Sequence, residues 1–338
     1  MRTISVALMG LLVMATAPFA AAQKLNACGA TFPDPIYKKW FSEFGKTHQG
    51  AQINYEANGS GGGVKGVTNG TVDFGASDMP MTDQELAAVK NGKILHFPTV
   101  LGAVVPIYNL PGVTQELKFS GPVLADIFLG SISKWSDKRI AADNPGVKLP
   151  DEEIVVVHRT DGSGTTFVWT DFLAKVSPEW KSKVGAAKDV SWPKGLGGAQ
   201  NAGVTGLVKQ NPNSLGYVEL VFAVQNKMGH GQVKNANGTF VKASVETVTE
   251  AAAGAAKNMP ADFRVSITNA PGKNAYPISS FTWLLIPSKF SDPAKARQVK
   301  EMLHWVLTDG QVFCAGLSYA PLPLAVVTRE EKQIDAIH

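Results

Sequence analysis

Along the chain, apolar runs of strand length alternate with segments whose apolar residues recur at helical spacing. In PIYKKWFSEFGKTH, Ile36, Trp40, Phe41 and Phe44 share one helical face, and AQINYEA follows as a strand. GSGGGVKGVTNGTVDFGASD predicts a glycine-rich turn, a short helix and a strand that runs into a second loop. MTDQELAAVKNG predicts a helix opened by a capping box from Thr82 to Glu85 and stopped by Gly92. ILHFPTVLGAVVPIYNL is a long apolar β run interrupted by Pro98 and Pro106. Its counterpart near the C-terminus is AYPISSFTWLLIPS, around Ser279 to Ile286. Between them, IVVVHRTDGSGTTFVWTDFLAK is a further strand–loop–helix unit. This alternation predicts an α/β protein with mostly parallel sheets wrapped by helices. No repeat of fixed period is present, and the alanine-rich EAAAGAAKNMPADF is the one low-complexity tract.

The start of the chain breaks the pattern. MRTISVALMGLLVMATAPFAAAQ has a basic Arg2, an apolar stretch from Val6 to about Ala17, and small Ala20 and Ala22 before Gln23. It reads as a secretory signal peptide over residues 1–22, which predicts export into a periplasm. No later segment has the roughly 18 uninterrupted apolar residues of a membrane span. The remaining chain is long enough for two domains with real cores.

The chain has 2 cysteines, Cys28 and Cys314. In an oxidising compartment they can bridge the two ends of the chain, or they can be two buried thiols. LNAC, from Leu25 to Cys28, resembles a lipobox. Polar Gln23, Lys24 and Asn26 separate that cysteine from the apolar stretch, which favours a soluble protein. The net charge of +4 is spread singly along the chain. Nucleic-acid binding would want a basic patch with interleaved aromatics, so no nucleic-acid partner is expected.

Three loops share one chemistry. GATFPDP carries Thr31 and Phe32 between a short strand and a helix. NGSGGG, Asn58 to Gly63, opens a second helix, and RTDGSGTT, beginning at Arg159, opens a third. Each offers backbone N–H groups and a hydroxyl at the positive end of a helix, where an anion is favoured. Any one of them is what an ordinary capped turn looks like. Three such loops with one arginine are harder to explain as turns alone. In open α/β sheets ligands sit beyond the C-terminal ends of the strands, so all three can face one crevice.

The same residues give little support for catalysis. Ser60 and Ser163 lack the flanking glycines of a G-x-S-x-G nucleophile, and the third loop has no Walker lysine. No HExxH or CxxC occurs, and the histidines have no ligand-like spacing. His158, next to Arg159, is expected on the opposite face of its strand. The chain is therefore not expected to be an enzyme, and no cofactor or metal is implied.

GATFPDPIYKKW, GSGGGVKGVTNGTVDFGASDMPM, HFPTVLGAVVPIYN, IFLGSISKWSD, RTDGSGTTFVWTDFL, WPKGLGGAQNAGV and NSLGYVE follow one another in order. Together they closely resemble the periplasmic phosphate-binding proteins of the phosphate-specific (Pst) ABC importers, over essentially the whole mature chain. The resemblance implies two α/β lobes of the periplasmic-binding-protein type, joined by crossover strands, with inorganic phosphate buried between them. Lobe one would be residues 23–104 and 279–338, and lobe two residues 105–278. Carried over by position, phosphate would be held by Thr31, Phe32, Ser60, Asp78, Arg159, Ser163, Gly164 and Thr165. Asp161 would brace the Arg159 guanidinium. The implied function is a monomeric high-affinity phosphate receptor that closes on its ligand and delivers it to membrane permease subunits. A receptor for another tetrahedral oxyanion such as sulfate, or a secreted phosphatase or adhesin on the same scaffold, are the alternatives. The family's pattern is departed from at Cys28 and Cys314, and at His158, where an arginine is common.

Overall fold

The computed structural model describes residues 24–48, 50–90 and 92–338. The signal peptide expected over residues 1–22 lies outside them. The first elements are β1 (Lys24–Gly29), α1 (Asp34–Thr47), β2 (Gln52–Glu56), α2 (Ser60–Asn69), β3 (Phe74–Ser77) and α3 (Asp83–Ala87). Strand β4 (Ile94–Asn109) follows, then β5 (Lys118–Phe119), α4 (Gly121–Leu129) and α5 (Lys138–Asp143). Next come β6 (Val155–Arg159), α6 (Gly164–Val176), α7 (Pro178–Lys183), β7 (Leu196–Gly198), α8 (Gln200–Gln210), β8 (Ser214–Glu219) and α9 (Leu220–Gln225). Short strands β9 (Gly229–His230), β10 (Gln232–Lys234) and β11 (Phe240–Val241) precede α10 (Val245–Lys257). The chain closes with β12 (Ser279–Pro287), α11 (Pro293–Leu307) and α12 (Leu324–Ile334).

The main sheet has the order β2-β1-β3-β12-β4-β8-β6-β7, with β9 also on β4. Strand β4 belongs to both of its halves. From Ile94 to Ala103 it pairs with β12, and from Val104 to Asn109 with β8. Expected parallel pairing holds on the two flanks, where β1 joins β2 and β3, and β6 joins β7 and β8. The centre is antiparallel, because β12 and β4 enter against their neighbours. The sheet is therefore mixed rather than mostly parallel.

Two local expectations are corrected. The prolines do not interrupt β4: Pro98 lies beside a register shift between Thr282 and Trp283 that leaves Thr99 as the extra residue of a bulge, where a missing N–H is tolerated. Pro106 pairs with Tyr217 and still accepts from the Gly231 N–H through its carbonyl. The capping box at Thr82 forms as read, but α3 ends at Ala87, well before Gly92.

Both thiols are free and buried. Cys28 lies within β1, with its thiol donating to the Gly62 carbonyl at 3.6 Å. Burial pushes the Cys314 thiol up to about 12, so it behaves as a small apolar side chain.

Apolar side chains, most of them aromatic, fill the core on the helical face read from the sequence: Ile36, Trp40, Phe41 and Phe44 of α1 are all buried. The last segment of the chain completes that core, since Trp40 Nε1 donates to Gly310 O at 2.6 Å and Tyr319 OH to Phe32 O at 2.6 Å. Where β1 meets β3, Gly29 has φ +143°, and a Cβ there would lie 2.1 Å from Ala76 O. Only glycine permits this approach.

Candidate functional site

Strands β1, β2 and β3 run parallel, so the loops that leave their C-terminal ends emerge at one edge: Thr31–Phe32, Asn58–Ser60 and Asp78. The loop after β6, from Arg159 to Gly164, and the start of α8 after β7 meet them. Gly61 N–H donates to Gly162 O at 2.8 Å, and Gln200 Nε2 to Ala57 O at 2.9 Å. Lys188 also pairs with Glu85. The eight positions named from the sequence thus converge, and all eight are buried.

The third loop is held by its own side chains. Arg159 Nε donates to Asp161 Oδ1 at 2.7 Å and Nη2 to Asp161 Oδ2 at 2.5 Å, a two-point fork that fixes the guanidinium plane. Asp161 also accepts from the Gln200 N–H at 2.9 Å. Burial raises the Asp161 carboxyl, but the Arg159 fork outweighs it and holds the group below its ordinary range. The third nitrogen, Arg159 Nη1, is buried and has no hydrogen-bond partner. A buried charged donor left alone is costly, so it marks a place for an acceptor.

Beside it lies the start of α6. Ser163 is the N-cap, its Oγ accepting from the Thr166 N–H at 3.0 Å. That hydroxyl keeps its own hydrogen to donate. The N–H groups of Gly164 and Thr165 belong to the first turn, where a helix supplies no acceptor of its own. The same holds for Ser60, the first residue of α2.

Asp78 faces these donors from the other side. Its Oδ1 accepts from Thr282 Oγ1 at 2.8 Å, its Oδ2 lies 3.4 Å from Ser60 Oγ, and its N–H donates to Ser60 Oγ at 3.2 Å. Burial pushes its carboxyl up to about 7, against the Thr282 and Ser60 hydrogen bonds and the Arg159 charge, which lower it. The site is therefore not a pool of positive charge, because Asp161 balances Arg159 and Asp78 adds a second acid. It brings together hydroxyls, N–H groups and one guanidinium nitrogen, with the Asp78 carboxyl as an acceptor facing them. That set matches a tetrahedral oxyanion that still carries a proton.

Some residues of this site were not read from the sequence. Thr282 reaches Asp78 from β12, where it looked like any β-branched strand residue. Tyr217 OH bonds to Thr166 Oγ1 at 2.7 Å and accepts from the Arg159 N–H at 3.3 Å, bracing the loop from β8. Asn201 joins Thr31 and Thr165 from the start of α8. The GGAQNAGV segment held a usable signal for Asn201, since it is a fourth glycine-marked strand-to-helix turn. As read, His158 points away from the site: it stacks on Trp192 with ring centroids 4.8 Å apart.

A family profile described as the PBP superfamily domain matches residues 15–309. A phosphate-binding protein PstS of Xylella fastidiosa is 42% identical over 326 residues, covering 95% of this chain and 87% of that protein. A phosphate-binding protein PstS of Pasteurella multocida is 43% identical over 313 residues, covering 92% and 90%. In fold, the chain is similar to a high affinity periplasmic phosphate-binding protein (PfluDING) solved with phosphate bound. The TM-score is 0.72 at 21% identity, over 92% of this chain and 93% of that one.

Proposed function

The chain belongs to the PBP superfamily and, within it, to the PstS phosphate-binding proteins, and from that premise we propose that it is the periplasmic phosphate receptor of an ABC importer. The observation that carries the reading at the level of this chain is the pairing of opposites in one buried site. An unpartnered Arg159 Nη1 and the first turn of α6 stand on one side, and a raised carboxyl, Asp78, on the other. Phosphate near neutral pH carries at least one proton, so its oxygens accept from the donors while its O–H donates to Asp78.

In this reading Thr31, Phe32, Ser60 and Asp78 contact phosphate from lobe one, residues 23–104 with 279–338. Arg159, Ser163, Gly164 and Thr165 contact it from lobe two, residues 105–278. Ligands drawn from both lobes make closure and binding one event, because neither lobe alone completes the set. Export by a cleaved signal peptide, action as a monomer, absence of a nucleic-acid partner and hand-over to permease subunits belong to the same proposal. So does a role in transport rather than catalysis, with no cofactor.

Calorimetry with phosphate and with sulfate, beside a phosphomonoester hydrolysis assay, tests the reading. Tight phosphate binding with weak or no sulfate binding and no turnover is expected. Preference for sulfate, or hydrolysis of the ester, would overturn it. Within that experiment, Arg159→Lys should weaken phosphate by roughly 10- to 100-fold. A single ammonium cannot hold Asp161 at two points and still present a third donor to the ligand. Unchanged affinity would reduce Arg159 to a partner for Asp161.

A further inference from the structure

We propose that Asn201 sets the hydrogen-bond polarity of the site, biasing the Thr31 and Thr165 hydroxyls to act as donors to the bound anion. The inference rests on the phosphate reading above. Asn201 is fully buried in the first turn of α8. Its Oδ1 accepts from the Glu219 N–H at 3.0 Å, and its Nδ2 donates to Thr31 Oγ1 at 2.9 Å and to Thr165 Oγ1 at 3.3 Å.

The orientation of this amide is forced. A backbone N–H can only donate, so the atom facing Glu219 must be the oxygen, and the amino group must face the two threonines. Both amide hydrogens are then spent on hydroxyl oxygens. A hydroxyl that accepts such a bond keeps its own hydrogen for another partner. Among the described residues, neither threonine hydroxyl donates to a protein acceptor.

The consequence is specific to an anion. A free hydroxyl rotates and can present either a lone pair or a hydrogen, and a lone pair turned toward an anionic oxygen repels it. With Asn201 in place, one lone pair of each hydroxyl is taken and its hydrogen is kept from turning back to the amide, which favours the donating arrangement at two positions, one on each side of the site. Asn201 thus presets the donor set before the ligand arrives, and it does so without touching the ligand. Its anchor is the Glu219 N–H, at the end of β8, where Glu219 pairs with Val104 of β4. The amide is therefore held by β8, the neighbour of the strand that runs through both halves of the sheet. It is a positioning residue.

The test is a cycle of variants titrated with inorganic phosphate. Asn201→Ala should weaken binding roughly 10- to 100-fold in the wild-type background. In a Thr31→Val, Thr165→Val background the same change should cost less than about 3-fold, since the hydroxyls it directs are gone. Asn201→Asp keeps the shape, and with it the fold, but offers an oxygen where the amino group was. The threonine hydrogens turn toward that oxygen, and at pH 8 the loss should exceed that of Asn201→Ala. Equal losses from Asn201→Ala in both backgrounds would overturn the proposal and leave Asn201 as a tie between loops. Wild-type affinity in Asn201→Asp would overturn it as well. Failure of the wild-type protein itself to bind phosphate would instead remove the reading on which the proposal rests, and the proposal with it.

Discussion

Gly164→Ala should remove tight phosphate binding, weakening it by at least about 100-fold, while leaving the two halves of the protein folded. Gly164 is the first residue of α6 and has ordinary helical backbone, so alanine introduces no strain there and is a better helix former. The added methyl, however, would lie 2.5 Å from Ser60 Oγ and 2.6 Å from both Cβ and Oδ2 of Asp78. Those atoms come from α2 and from the end of β3, across the site, and each is buried. Asp78 Cβ cannot rotate away, so the sides must part, and an overpacked contact of this kind commonly costs 1–3 kcal/mol or more. Calorimetry measures the loss of affinity, and the thermal midpoint without ligand should stay within a few degrees of wild type. Normal phosphate affinity in this variant would mean that Ser60 and Asp78 need not approach Gly164 for binding.

Asp78→Asn should exchange selectivity for stability. A carboxylate facing an anion repels it unless the ligand supplies a proton to share, and sulfate supplies none near neutral pH. An amide offers an N–H instead, so sulfate should bind the variant measurably at millimolar concentration. Phosphate should remain bound, more weakly. If the variant still ignores sulfate while binding phosphate normally, Asp78 does not read the proton. The same substitution should raise the stability of the unliganded protein at pH 8. A carboxyl raised from 3.8 to about 7 is ionised in the unfolded chain throughout that interval but protonated in the folded one. Stability therefore falls as pH rises from about 4 to 7, by about 4 kcal/mol in all, and the full cost is present above 7. Asparagine carries no such cost. Thermal midpoints of the two proteins should converge near pH 4 and separate by pH 8; a separation independent of pH would place the effect elsewhere.

Much of this site was legible because its chemistry is local. Arg159, Asp161, Ser163 and Gly164 fall in one loop, and glycine, hydroxyl and helix start announce what the loop can do. The fork between Arg159 and Asp161 spans two residues, and a sequence shows such a neighbour directly. Thr282 was not legible, because its meeting with Asp78 is set by a strand register that includes the bulge at Thr99. The prolines misled for a related reason: tolerance of Pro98 depends on that same bulge, which only the pairing of β4 with β12 creates. The end of α3 at Ala87 shows a further limit. A good capping box starts a helix, but none of the α3 residues is buried, and without packing the helix does not reach its glycine stop.

The order of strands in the sheet bears on when the protein can fold as well as on how. Strand β3 pairs with β12, so the sheet begun by residues 24–77 lacks its central neighbour until residue 287 has been made. Trp40 and Phe32 likewise wait for Gly310 and Tyr319. A chain emerging from the ribosome therefore cannot finish its first core until nearly all of it exists, since contacts this distant along the sequence form late. On the proposed reading, in which the chain is exported before it works, that delay is useful. The beginning of the chain stays without its finished core for as long as its end is still being synthesised.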